Sequence, residues 1–349
     1  MSYSDSSIPK QRTGKALQLA RFIAALAWAV SSRLLASSSA RGITSRFNLD
    51  LLHPLMSALF LLFLLAVGFA LLEMIARRPS TARSVLGLPK RESWGREWLI
   101  GAALGWGMVV LAVLPLAITG SLHVTFWTDA GVLKLLTVNL LTLLVSSLTV
   151  EVVFRGYPYR CLAEAIGPIG STLCMSVLFA LMQVVINGAN STAAFIAILM
   201  GVLYSVAWNR THGLWLGWGM HFAWVVSLGT LFGLPVSGTD GASVLVQTMA
   251  SGRRWFTGGS YGPEAAYLTA VALLIGLIVL VRVTKEYAWN YTHSPIIPGG
   301  YPMEAKPPAA HVAMEEQSRP ALVQILPSSP QGMSSTGNPP PPPPPPPLP

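Results

Sequence analysis

From Ile166 to Asn209 the chain reads IGPIGSTLCMSVLFALMQVVINGANSTAAFIAILMGVLYSVAWN, without a single Asp, Glu, Lys or Arg. Only Asn187-Gly188-Ala189-Asn190 offers a turn in this stretch. The pattern predicts two membrane spans, Ser171–Ile186 and Ala193–Trp208, joined tightly. The rest of the 349 residues agrees with it. Charged residues make up 11% of the chain, against roughly 25% in an ordinary soluble domain. A fold of this size in water could not cover its surface with so few ions. With 52% hydrophobic residues and a mean hydropathy of +0.54, a soluble enzyme, a coiled coil and a nucleic-acid-binding domain are all poor fits.

Working outward, apolar runs at Leu51–Ile75, Trp98–Ile118, Val132–Val153, Leu214–Phe232 and Ala265–Val283 predict further spans. Residues 16–36 form a first hydrophobic segment, interrupted by Arg21 and Arg33. A basic lead and the small residues near Ala40 also fit a signal peptide; a retained first helix is the preferred reading. The predicted fold is therefore all-α, a polytopic transmembrane bundle of about eight spans, or seven if the first is cleaved. Three regions follow: a basic N-terminal region with the first segment at 1–50, a membrane-embedded domain at 51–285, and a tail at 286–349. That tail is rich in Pro and ends in an unbroken run from Pro339 to Pro347, for which polyproline II is the expected conformation.

The formal net charge of +9 marks a side of the membrane and not a nucleic-acid partner. Arg77, Arg78, Arg83, Lys90, Arg91 and Arg96 fall between the second and third spans, which places that connection in the cytoplasm. Alternation then puts Arg155, Arg160, Arg210, Arg282 and Lys285 on the same side, along with Lys10, Arg12 and Lys15, and leaves Arg41, Arg46, Arg253 and Arg254 outside. Both termini are expected in the cytoplasm, in a plasma membrane of bacterial type. Cys161 and Cys174 define neither a disulfide framework nor a metal spacing.

Polar residues within spans carry the functional signal, because a carboxylate at a helix centre costs about 2.5–3.5 kcal/mol on insertion scales. Glu151 lies in SSLTVEVVFRGYPYR, read as the cytoplasmic end of its span, with Arg155 four residues later on the same helix face. Gly156 and Pro158 mark a helix end or kink. His221 sits in an otherwise neutral span, and Gln183 is a third intramembrane polar group, able to donate and accept hydrogen bonds but not to take a proton at neutral pH. No HExxH, P-loop or dinucleotide fingerprint is present, so no cofactor is called for. Gly101-xxx-Gly105, followed by Gly107, permits close helix approach.

From about Leu86 to Val283 the chain resembles the CPBP family of intramembrane endopeptidases, which includes the prenyl-protein CAAX proteases and Abi-type proteins. Glu151-Val-Val-Phe154-Arg155-Gly156 resembles the end of an EExxxR motif, Phe179-Ala-Leu-Met-Gln183 an FxxxH motif, and His221-Phe-Ala-Trp224-Val225 an HxxxN motif. The stretch Thr257–Glu264 also has the look of bacterial members. The resemblance implies glutamate-dependent peptide hydrolysis in the membrane: a glutamate and the FxxxH histidine activate water, and the HxxxN pair stabilises the oxyanion. It also implies a membrane-embedded or prenylated peptide as substrate. Carried over, the first glutamate position is Val150, the FxxxH histidine is Gln183 and the HxxxN asparagine is Val225. The candidate catalytic set reduces to Glu151, Arg155 and His221 with a degenerate Gln183. Two readings stay open: a protease in which Glu151 has taken over as base, and a non-catalytic member that binds a membrane segment or partner. A secondary transporter is a more distant third.

Overall fold

The computed structural model describes residues 14–76, 85–127, 131–240 and 244–285. The proline-rich tail, Lys10, Arg12, Arg77, Arg78 and Arg83 lie outside the described residues. The architecture is an all-α bundle. Its helices are α1 (Lys15–Phe47), α2 (His53–Ile75), α3 (Trp94–Ile118), α4 (Val132–Arg155), α5 (Tyr157–Asn187), α6 (Ser191–Thr211) and α7 (Trp215–Val225). A single turn, α8 (Arg254–Thr257), and α9 (Tyr267–Val283) complete the set. Lys15–Phe47, Asp50–Ile75, Trp94–Ile118, Val132–Asn187 and Ser191–Thr211 are long and apolar enough to cross a membrane, and Tyr267–Val283 is a shorter apolar helix.

The turn at 187–190 forms as its sequence predicts. Gly188 takes the left-handed conformation after α5, and the Asn190 side chain accepts a hydrogen bond from the Ala193 amide to start α6. The first segment runs further than expected, to Phe47. Ser32, Ala36, Ala40 and Thr44, spaced four apart, make a buried small-residue face on α1, which packs along α2. The small residues that suited a cleavage site thus serve as a packing stripe.

Two corrections concern the centre of the bundle. Arg155 is not at a span end. The helix breaks at Gly156 (φ −83°, ψ −130°), resumes at Tyr157, and turns back only at Gly167. Tyr159 Oη lies 2.8 Å from Thr172 Oγ1 across that turn, which two arms of a hairpin allow and a straight helix does not. Arg155 therefore sits beside Gly201, ten residues from either end of α6. Any Cβ at position 156 would lie 2.3 Å from the Val152 carbonyl, so the break needs glycine. The second correction is α7, which stops at Val225 and continues as a wider π turn over Val226–Leu231.

Polar contacts sort the helix ends into two groups. At one end Arg91 donates to the His212 carbonyl, the Trp215 indole to Pro89, and Arg210 to Thr284. Burial and the neighbouring Arg91 guanidinium hold His212 below its ordinary imidazole pKa. Glu73 of α2 pairs with Arg160, and Gln18 of α1 hydrogen-bonds Glu164, so the first two helices are tied to α5 towards this same end. At the other end a two-stranded antiparallel ribbon, which the sequence reading did not anticipate, joins β1 (Leu122–Phe126) to β2 (Val246–Ala250).

Helices α3 and α7 pack backbone to backbone. A Cβ at Gly105 would lie 2.2 Å from the Met220 carbonyl, and one at Gly219 would lie 2.1 Å from that of Trp98. Gly107 faces open space. Gly105→Val should lower thermal stability in detergent by about 1–3 kcal/mol through overpacking, whereas Gly107→Ala should leave the midpoint unchanged.

Candidate active site

Helix α4 presents Glu151 and Arg155 on one face, both fully buried. His221, on α7, brings its Nδ1 to 2.8 Å from Glu151 Oε1. With the carboxylate ionised, Nδ1–H is the donor. Arg155 Nη1 is 3.5 Å from the same oxygen, a long contact that acts as a charge interaction more than as a hydrogen bond. The guanidinium makes its better bond, 3.1 Å, from Nη2 to the Gly201 carbonyl. It also lies 5.1 Å from the Phe179 ring centroid and 5.3 Å from that of Tyr204. Tyr204 in turn stacks on His221, with centroids 5.1 Å apart and planes inclined by 18°. With the Phe154 ring at 5.6 Å as well, one buried cation is thus compensated by a carboxylate, a carbonyl and three π systems. Cation–π contacts are worth about 2 kcal/mol when desolvated, so the rings matter as much as the ion pair. Glu151 Oε2 has no hydrogen-bond partner among the described residues. The His221 side chain is 12% exposed, so it is the edge at which this pair meets its surroundings.

The structure brings Glu151, Arg155 and His221 together and leaves Gln183 elsewhere. Gln183 Nε2 donates to Ser237 Oγ at 3.3 Å, and its Oε1 accepts from Asn187 Nδ2. Val150 turns away from His221 to line an apolar cavity of about 330 Å³ with Val153 and Met182. Phe154 and Phe179 meet edge to face at 5.3 Å, and one turn further along each antiparallel helix come residues 150 and 183. Val225 is buried one turn beyond His221. The framework positions the three motif sites; the side chains on them can neither take a proton nor, at the two valines, donate one.

Another buried carboxylate near the site escaped the sequence reading. Glu264 accepts from Trp224 Nε1 at 2.7 Å through Oε1, and from the Ser237 amide at 2.6 Å and hydroxyl at 3.0 Å through Oε2. Ser237 has φ +50°, held there by this clasp. Burial first, then the charge of Glu264, push the Tyr261 phenol up to about 12, so it stays neutral beside the clasp. Gln183 joins this group through Ser237, and the set anchors the segment after α7 onto α5 and α7. Its sequence signal was an acid at the end of the Gly-rich stretch Thr257–Glu264, which carried a resemblance and no role. Among the described residues no three His, Cys, Asp or Glu side chains come together to hold a metal ion.

Comparison with known families bears on this geometry. Residues 132–227 match the family described as type II CAAX prenyl endopeptidase Rce1-like. The match supports the CPBP/CAAX protease family. The matched stretch starts with α4 and ends in the π turn after α7, and so holds positions 150, 151, 155, 183, 221 and 225. Ser237 and Glu264 fall beyond the matched segment. Searches among curated proteins and among solved structures found no match.

Proposed function

We propose that this CAAX-protease-like membrane protein has lost most of the peptidase chemistry of its family and works by binding an apolar membrane partner. The observation that carries the reading is that Val150, one turn from the Phe154–Phe179 contact, lines an apolar cavity, while Gln183, one turn from the same contact on α5, is bonded to Ser237. A water-activating base needs a carboxylate within hydrogen-bond reach of the water, and Val150 offers none. Gln183 cannot take a proton and is already bonded to Asn187 and Ser237. Val225 offers no oxyanion donor, and such donors are worth about 10²–10³ in rate. On this reading Glu151, Arg155 and His221 lock α4, α6 and α7 together. The basic end carrying Arg91, Arg210 and Arg282 faces the cytoplasm, as the positive-inside rule directs.

The unpartnered Oε2 of Glu151 favours a second reading. A water bonded there could lose its proton to the carboxylate as it attacks a peptide carbonyl, with His221 polarising that carbonyl. Purified protein incubated with prenylated CAAX peptides and membrane-segment peptides, followed by mass spectrometry, separates the two. The proposal expects no cleavage above the buffer rate. Cleavage that disappears in Glu151→Gln, with folding intact by thermal melt, would establish the second reading instead.

A further inference from the structure

The cavity beside Val150 is a trough between α1 and α5, floored by α4. It opens sideways towards lipid: Val30 is 64% exposed and Leu181 53%. Its lining is apolar except for Thr149 and Arg33. Arg33 is exposed and has no ion pair among the described residues.

Depth gives that arginine a meaning. Gln18 of α1 bonds Glu164, close to the Gly167 turn that closes one end of the bundle. Arg33 lies 15 residues beyond Gln18, about 22 Å along the helix axis. Ile186, which shares the lining with Arg33, is 19 residues past Gly167, about 28 Å from the turn. The hydrocarbon core of a bilayer is about 30 Å thick. Arg33 therefore stands in the far part of the hydrocarbon, from which its long side chain extends to the headgroups, with the trough running inward from it towards Phe154. A cation that reaches the headgroups above a narrow apolar slot has the charge pattern of a phospholipid's partner. An uncharged isoprenoid chain would leave Arg33 without a counter-ion.

We propose that the trough holds a phospholipid, with one acyl chain laid against Val150 and its phosphate bound by Arg33. An arginine–phosphate contact is frequently bidentate and charge-assisted, so a lipid with net negative charge is preferred. The proposal deepens the binding reading above, because the chain occupies the place from which a carboxylate at 150 would act. It is tested separately from peptide cleavage.

Protein exchanged into detergent with dioleoylphosphatidylglycerol or the matching phosphatidylcholine is examined by native mass spectrometry. One phosphatidylglycerol should be retained per chain in preference to phosphatidylcholine. Arg33→Gln should reduce its retention about tenfold, and Val150→Trp, which fills the slot, should do the same. Arg254→Gln, an exposed cation elsewhere, should have no effect. Thermal melts establish that each variant is folded; Arg33→Gln alters only an exposed side chain and remains decisive if Val150→Trp fails to fold. Retention unchanged in Arg33→Gln, or displacement of the phospholipid by a stoichiometric prenyl alcohol, would overturn the proposal. Detection of peptidase activity would overturn the functional reading while leaving this one standing.

Discussion

Arg155→Met is expected to cost about 3–5 kcal/mol of stability, because it leaves Glu151 buried beside His221 without its permanent cation. The Gly201 carbonyl loses its donor, and Phe179 and Tyr204 lose the charge they face. Glu151→Gln alone should be similarly damaging, since Arg155 then lacks its counter-ion. The double variant Glu151→Gln/Arg155→Met should cost much less than the sum of the singles, as neutral groups replace both members of a buried pair. His221→Ala should be milder, at about 1–3 kcal/mol, because Arg155 still faces the carboxylate. Arg155→Lys should not rescue: an ammonium cannot span the carboxylate and the Gly201 carbonyl with a planar fork while lying between two rings. Thermal or denaturant unfolding in detergent reads each of these. A midpoint for Arg155→Met within error of wild type would remove the lock as an explanation for the cluster.

Restoring the motif should create activity. The variant Val150→Glu/Gln183→His/Val225→Asn puts a base and its partner one turn from the Phe154–Phe179 contact on α4 and α5, and an oxyanion donor one turn beyond His221. Prenylated CAAX peptide should be cleaved at least about 10²-fold faster than by wild type, the smallest factor that a single oxyanion donor supplies. The double variant Gln183→His/Val225→Asn, which keeps Val150, should stay inactive. A carboxylate introduced at position 150 enters an apolar trough and will lower stability, so the rate is read on protein shown to be folded. A folded triple variant without activity would mean that the geometry at 150 and 183 is not the family's catalytic one.

Lipid makes some features of this protein easy to read from sequence. Every backbone group within the membrane must be satisfied internally, so charge-free apolar runs have to be helices, and the turn from Asn187 to Asn190 was placed to the residue. The pairing of Glu151 with Arg155 followed from helical spacing, and the reach of His221 from the scarcity of other polar groups. The depth of Arg155 was hidden. Gly156 and Pro158 look like a helix end, and Arg160 and Glu164 look like exposed charges. Only tertiary contacts with Glu73 and Gln18 reveal that the helix goes on for another three turns inside the bundle. The length of α1 was masked for a related reason: the small residues after Leu35 also fit a signal-peptide cleavage site until α2 is seen packed along α1. The ribbon and the Glu264 clasp depend on pairings between distant segments, which no local pattern encodes.

The central claim is that the catalytic framework is intact and its working side chains are gone. Single-turnover incubation of excess wild-type protein with a radiolabelled prenylated CAAX peptide in liposomes tests it most directly. The account predicts cleavage indistinguishable from that of liposomes alone and unaffected by Glu151→Gln. Cleavage by wild type that is lost in Glu151→Gln protein shown by thermal melt to be folded would contradict it.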